Sequence, residues 1–315
     1  MITTRLPVRR VGDLLLPAIG FGSMTITQVP GYDVERGRRA VHTALDVGVR
    51  LFDTADVYGP ARGGDGVNEL ALADALRRWP GPLDDVVVAT KGGHLRFAET
   101  DTWWTDGRRE HLRKACIASI RRLGLDPLPL YQHHRPDPQI PYEESMLALR
   151  DLHDEGLVAR VGISNADVRR IDIAQQILGD ALVAVQNEYS PSARSAEVEI
   201  RACENRGLAF LSWGPFGGMR QAKSLGGAGS PFEAIARARG VSPHRVALAW
   251  QLHRSPVVIP VPGASRAESV VDSVAAATFE LSADELALLE GPSEPPRPSD
   301  DRRPTEPHRG ERHVP

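Results

Sequence analysis

The chain has 315 residues, 41% of them hydrophobic, enough to bury the core of one α/β barrel or of two smaller domains. A formal net charge of −3 excludes an electrostatic footprint for nucleic acid or an anionic membrane surface and leaves small molecules as the expected partners. Cys116 and Cys203 are the only cysteines, which excludes a disulfide framework and a zinc motif, and no apolar leader or span of about 18 residues is readable, so a cytoplasmic protein is expected.

Val8-Arg9-Arg10-Val11 and Leu14-Leu15-Leu16 flank Gly12-Asp13, a spacing that predicts a small N-terminal β-hairpin placed to plug one end of a barrel. After it, apolar and β-branched runs alternate with helix-periodic segments, the pattern of parallel strands joined by crossover helices. Strands are predicted near 18–21, 50–53, 85–90, 129–133, 158–163, 182–185, 208–212 and 257–261. Between them, 109–123 carries Leu112, Cys116, Ile120 and Leu123 on one helical face, with Asp106 as a candidate cap and Gly124 ending it. Segments 142–155 and 167–178 repeat the scheme, the first with Met146, Leu149 and Leu152 on one face and the second with Val168, Ile171 and Leu178 on one face. Eight such units predict an α/β chain closed as a (β/α)8 TIM barrel, one domain over residues 1–290. Residues 291–315 are rich in Pro, Arg, Asp and Glu with almost no large apolar side chain, so a disordered tail is expected there.

In such a barrel the carboxyl ends of the strands meet at one mouth. Leu51-Phe52-Asp53-Thr54-Ala55-Asp56-Val57-Tyr58-Gly59 puts a carboxylate at a strand end and a phenol five residues later. Val86-Val87-Val88-Ala89-Thr90-Lys91 ends in a lysine, a residue type otherwise found only at Lys114 and Lys223, and Leu130-Tyr131-Gln132-His133-His134 ends in two histidines. An ammonium beside a tyrosine stabilises the phenolate, which predicts a pKa for Tyr58 lowered from about 10. Asp53 would hold that lysine, and a histidine donating to a substrate oxygen would polarise a carbonyl. The paired histidines lack the further ligands of a metal site, so no metal is expected.

On these motifs the chain resembles the aldo-keto reductases, over roughly residues 7–290. The resemblance rests on FDTADVYG, ATKGG and LYQHHRPDP. It implies a (β/α)8 barrel, a nicotinamide cofactor and a tetrad of Asp53, Tyr58, Lys91 and His134; the family's register Tyr-Gln-any-His-Arg-Pro selects His134 over His133. Gly162-Ile163-Ser164-Asn165 and Val185-Gln186-Asn187 are similar to stretches that bind the carboxamide, which implies that role for Ser164, Asn165 and Gln186. Trp213 falls where the family stacks an aromatic on the nicotinamide, followed by Gly214, Phe216 and Gly217. Gly22, Ser23 and Met24 resemble the first strand-end loop beside the cofactor, with Asp53 next to it. The segment that includes Gly263, Ser265, Arg266 and Asp272 is similar to the one that binds the adenosine 2′-phosphate, with Arg266 as the phosphate's partner, which implies NADPH in preference to NADH. Val261 stands where many members carry a lysine, and Ser273 where an asparagine often contacts adenine.

His94, Trp103 and Trp104 lie in the long loop predicted after Lys91 and are expected to line the substrate pocket. Gly59 to Gly66 lacks the Lys-Ser/Thr of a P-loop and is expected to be a substrate-side loop, while 217–230, with Arg220 and Lys223, is expected to strap the cofactor pyrophosphate. The function implied is NADPH-dependent reduction of an aldehyde or ketone with Tyr58 as general acid. The same tetrad run in reverse would serve an NAD-linked alcohol or sugar dehydrogenase, and in another class it would fit a cofactor-binding regulatory subunit with little turnover.

Overall fold

Strand alternation sends every second side chain to one face, so eight short runs suffice to build a barrel with a filled interior and an outer surface for helices. The computed structural model describes residues 6–29, 31–60, 64–97, 102–218, 225, 227 and 229–290. The predicted tail, Arg220, Lys223 and residues 61–63 of the glycine-rich run lie outside the described residues.

β1 (Val8–Val11) and β2 (Leu14–Pro17) form the expected antiparallel hairpin, with Gly12 at φ 61° in its turn. The barrel strands follow: β3 (Phe21–Gly22), β4 (Leu51–Asp53) and β5 (Val87–Gly92). A side ribbon of β6 (His94–Phe97) and β7 (Thr102–Thr105) precedes β8 (Leu130–His133), β9 (Val161–Ser164), β10 (Leu182–Glu188), β11 (Ala209–Trp213) and β12 (Val258–Pro260). The eight barrel strands pair in parallel in chain order from β3 to β12. The Gly20 N–H donates to Pro260 O at 2.9 Å and the Gly22 N–H to Pro262 O at 3.0 Å, which brings the last strand against the first and closes the (β/α)8 barrel. A Cβ on Gly22 would lie 2.7 Å from Val261 O, so this seam requires a glycine.

Inside, Leu51, Val87, Leu130, Ala184, Ala209 and Ile259 pack with Val11 and Leu16 of the hairpin, which therefore plugs the amino-terminal end. Outside, Phe52, Val88, Tyr131, Ile163, Val185 and Phe210 meet the helices. Those helices are α1 (Val34–Asp46), α2 (Val67–Arg77), α3 (Arg109–Leu123), α4 (Tyr142–Asp154), α5 (Val168–Leu178) and α6 (Glu197–Arg206). They continue with α7 (Pro231–Arg239), α8 (Pro243–Arg254), α9 (Ala267–Ala275) and α10 (Ala283–Glu290). Met146, Leu149 and Leu152 of α4 and Ile171 and Leu178 of α5 are buried, each contributing about 1.5–3 kcal/mol of apolar transfer. Val168 is only partly buried.

Two expectations change. Asp106 does not cap α3: Arg108 occupies the cap position, and the Asp106 carboxylate accepts that residue's N–H at 3.1 Å and its guanidinium. The helix does end at Gly124, at φ 68°. The stretch after Lys91 is not a plain loop but the β6–β7 ribbon, in which His94 pairs with Thr105 and Arg96 with Trp103; aromatic and β-branched residues favour that pairing. Among the described residues no helix is long and apolar enough to cross a membrane and no cluster of His, Cys, Asp and Glu is placed to hold a metal. Burial pushes both cysteine thiols up to about 12, leaving them unreactive packing groups.

Candidate active site

The inward rows of the barrel begin apolar at the plugged end and finish polar at the mouth. Leu51 leads to Asp53, Val87 and Ala89 to Lys91, Leu130 and Gln132 to His134, and Ala184 to Gln186. The same parity sends His133 outward, where its ring packs 5.7 Å from that of Tyr142 on α4. His134 lines the mouth.

Lys91 is fully buried, and its ammonium donates to Asp53 Oδ2 at 2.8 Å, Thr54 O at 2.8 Å and Tyr58 Oη at 3.4 Å. All three donors are used, the condition under which a buried ammonium is tolerated. Asp53 Oδ1 in turn accepts from Gln186 Nε2 at 2.8 Å and Gln132 Nε2 at 3.4 Å. Tyr58 meets His134 edge-on, ring centroids 5.6 Å apart. Asp53, Tyr58, Lys91 and His134 thus form one connected cluster.

Burial governs the protonation of this cluster. It pushes the Tyr58 phenol above its ordinary value, Lys91 pulling it down and Asp53 pushing it up, so the direction is opposite to the one expected from the lysine alone. Burial also lowers Lys91, but Asp53 and Tyr58 together outweigh it and hold the ammonium charged. Burial, then the charge of Lys91, takes His134 well below the usual histidine range. Burial and Arg135 lower His94 to about 4. At neutral pH the site therefore presents a protonated phenol and neutral imidazoles.

A second network fixes the backbone around His134. Asn165 takes a left-handed φ of 57°, rare for a residue with a Cβ, and its Nδ2 donates to His134 O at 2.9 Å and to Ser164 Oγ at 3.0 Å. Ser164 Oγ donates to Gln186 O at 2.8 Å, which joins this network to Asp53 through the Gln186 side chain.

The cluster opens into a cavity of about 620 Å³. Gly22, Met24 and Gly263 border it at the closing seam, Ser164, Asn165 and Gln186 at the ends of β9 and β10, and Trp213, Gly214 and Phe216 after β11. His94 and Trp103, stacked with ring centroids 4.8 Å apart, form the wall on the ribbon side. Four predicted residues stand behind or beside this lining. Ser23 is buried, its Oγ 2.6 Å from both Asp53 O and Asn68 Oδ1. Gly217 closes a turn by donating its N–H to Gly214 O at 2.7 Å. Trp104 stacks on Phe97 at 5.1 Å and lines a neighbouring cavity of about 530 Å³. Asp272 is paired with Arg245 at 2.7 Å and accepts from Ser242.

Ser265 and Arg266 follow Gly263 at the start of α9; Arg266 is exposed and has no ion-pair partner among the described residues. Thr25, Gln28, Arg135 and Pro215 also line the cavity and were not singled out in the sequence, and Val261, noted there in place of a lysine, lines it too. For Arg135 a signal existed, since it directly follows the histidine at the mouth; Thr25 and Gln28 sit in an irregular turn after β3 that no periodicity marks.

A barrel whose mouth joins a buried Asp-Lys pair, a phenol and a neutral histidine beside one cavity defines a class of oxidoreductase scaffold. Residues 18–293 match the Aldo/keto reductase family, and the chain belongs to it. It is 31% identical over 293 residues to the pyridoxine 4-dehydrogenase of Escherichia coli K12, covering 89% of this chain and 96% of that one. A glycerol dehydrogenase from Gluconobacter oxydans superposes with a TM-score of 0.76 at 26% identity, covering 95% of this chain and 100% of that one. An aldo-keto reductase from Klebsiella pneumoniae in complex with NADPH superposes with a TM-score of 0.74 at 27% identity, covering 91% and 95%.

Proposed function

We propose that the protein reduces an aldehyde or ketone to an alcohol with NADPH, and that Tyr58 delivers the proton to the carbonyl oxygen. The observation that carries this is the continuous chain from Asp53 through Lys91 to Tyr58, ending beside neutral His134 at the cavity wall.

The lining fits a nicotinamide dinucleotide. Three polar atoms there, Thr25 Oγ1, Gln28 Oε1 and Trp213 Nε1, are buried without a hydrogen-bond partner, as expected of groups whose partner is a ligand. Ser164, Asn165 and Gln186 would hold the carboxamide, Trp213 would cover the ring, Gly22, Met24, Gly214, Phe216 and Gly217 would border it, and Ser265 and Arg266 would take the 2′-phosphate. The bound cofactor supplies the hydride for the carbonyl carbon.

The residues of the chain do the rest. A phenol raised by burial is fully protonated at neutral pH and is a proton donor throughout that range. Lys91 stabilises the phenolate left behind, and Asp53 fixes Lys91 with its remaining lone pairs occupied by Gln186 and Gln132. Neutral His134 offers an N–H to the same oxygen, its backbone fixed by Asn165. The NADPH complex of the Klebsiella neighbour supports the cofactor assignment, and the Escherichia coli relative adds pyridoxal to the substrates worth testing. The experiment is consumption of NADPH, and separately NADH, across a panel of aldehydes and ketones. Turnover with NADPH is expected; tight NADPH binding with no turnover anywhere on a panel that includes pyridoxal would contradict it.

A further inference from the structure

Arg135 is an exposed guanidinium on the cavity wall, one residue beyond His134. It has no ion pair or hydrogen bond among the described residues. Asp53 is the only carboxylate on that lining among the described residues, and its two oxygens are taken by Lys91 and the two glutamines. The lining histidines are neutral at neutral pH. Arg135 is therefore an uncompensated positive charge beside the position proposed for the reacting carbonyl.

Topology separates that charge from the cofactor's phosphates. In the barrel order β8 is fourth and β12 eighth, so the residue following β8 stands across the mouth from the Gly263–Arg266 segment. His94 and Trp103 share the wall with it, their rings stacked 26° from parallel and the Arg96 guanidinium 4.8 Å over the Trp103 ring, so planar side chains line that side of the cavity. A guanidinium fork recognises a carboxylate or a phosphate bidentately, and planar side chains beside it suit a planar body carrying that group.

We infer that Arg135 selects carbonyl substrates that carry an anionic group, a carboxylate or a phosphate, on a planar body, and seats that group while the carbonyl reaches Tyr58 and His134. This rests on the reductase assignment above, and the test separates the two.

The probes are 4-carboxybenzaldehyde against its methyl ester and pyridoxal 5′-phosphate against pyridoxal, with NADPH, on the wild type, Arg135→Gln and Arg135→Lys. The wild type is expected to prefer the charged member of at least one pair by roughly tenfold or more in kcat/KM, mostly through KM, as for a charge-assisted hydrogen bond. The pair that shows the preference tells carboxylate from phosphate. Arg135→Gln should bring that ratio close to one, and Arg135→Lys should retain part of it. Equal use of charged and neutral substrates by the wild type, or a ratio unchanged in Arg135→Gln, overturns the inference while leaving the reductase assignment standing. If nothing is turned over, that assignment fails, and quenching of tryptophan fluorescence by 4-carboxybenzaldehyde and by pyridoxal 5′-phosphate still decides. Weaker binding of either to Arg135→Gln supports the anion site, and equal affinity of both proteins for both probes refutes it.

Discussion

At the floor of the mouth the polar side chains come from strand ends or the residue just past them and are tied to one another, Lys91 to Asp53, Ser164 to Gln186, Asn165 to His134, Gln186 to Asp53. On the wall beside β5 and β8 the lining comes from outside the barrel strands: His94 and Trp103 from the ribbon, Arg135 from the loop after β8. Trp103 and Trp104 remain 42% and 41% exposed, whereas Lys91 and Gln186 are 0% and 1% exposed. The difference teaches where each property is built. Groups assigned to the chemistry are fixed by strand parity and buried hydrogen bonds; groups that would choose a substrate sit on segments the barrel does not constrain.

Breaking the buried side should have the largest effect. Lys91→Met leaves Asp53 buried without its cation, so urea denaturation should show a loss of roughly 3–5 kcal/mol, with turnover falling in parallel. Adding Asp53→Asn should recover part of the stability and none of the turnover, which distinguishes an orphaned charge from a packing defect. Next, at the rim of the cofactor side, Arg266→Gln should weaken NADPH binding by about tenfold and leave NADH binding unchanged, measured by fluorescence titration. Equal weakening of both would detach Arg266 from the 2′-phosphate.

The same burial predicts a pH dependence of stability. Burial lowers His94 and His133 to about 4, below their unfolded value of 6.5. The unfolded chain then takes up protons first as pH falls, so stability is full above about 6.5 and is lost progressively toward 4. Chemical denaturation at intervals across that window should show the decline, and His133→Gln, on the outward face, should lessen it. A stability flat to pH 4 would contradict the buried neutral imidazoles.

Much of the fold was legible because it depends on local pattern. Alternating apolar runs located all eight barrel strands, and Gly12-Asp13 located the plug. Parity alone separates His134 from His133, since Leu130, Gln132 and His134 share one face. What escaped depends on tertiary contact. The direction of the Tyr58 shift is set by burial, which no neighbour along the chain reveals. Asp272 meets Arg245 and Ser242 of the α8 start, partners 27 and 30 residues away, and Gln132 and Gln186 reach Asp53 from separate strands. The β6–β7 ribbon is hidden by its short arms, and Arg135 because its place on the cavity wall depends on the barrel closing around it.

The most direct test of the account is Tyr58→Phe, which removes one oxygen from the end of the Asp53–Lys91 chain. Turnover of the best aldehyde with NADPH should fall by about 10²–10⁴-fold while NADPH affinity, measured on the same protein by fluorescence titration, stays at the wild-type value. Turnover within a few-fold of wild type, with NADPH bound equally well, would contradict the assignment of Tyr58 as the proton donor.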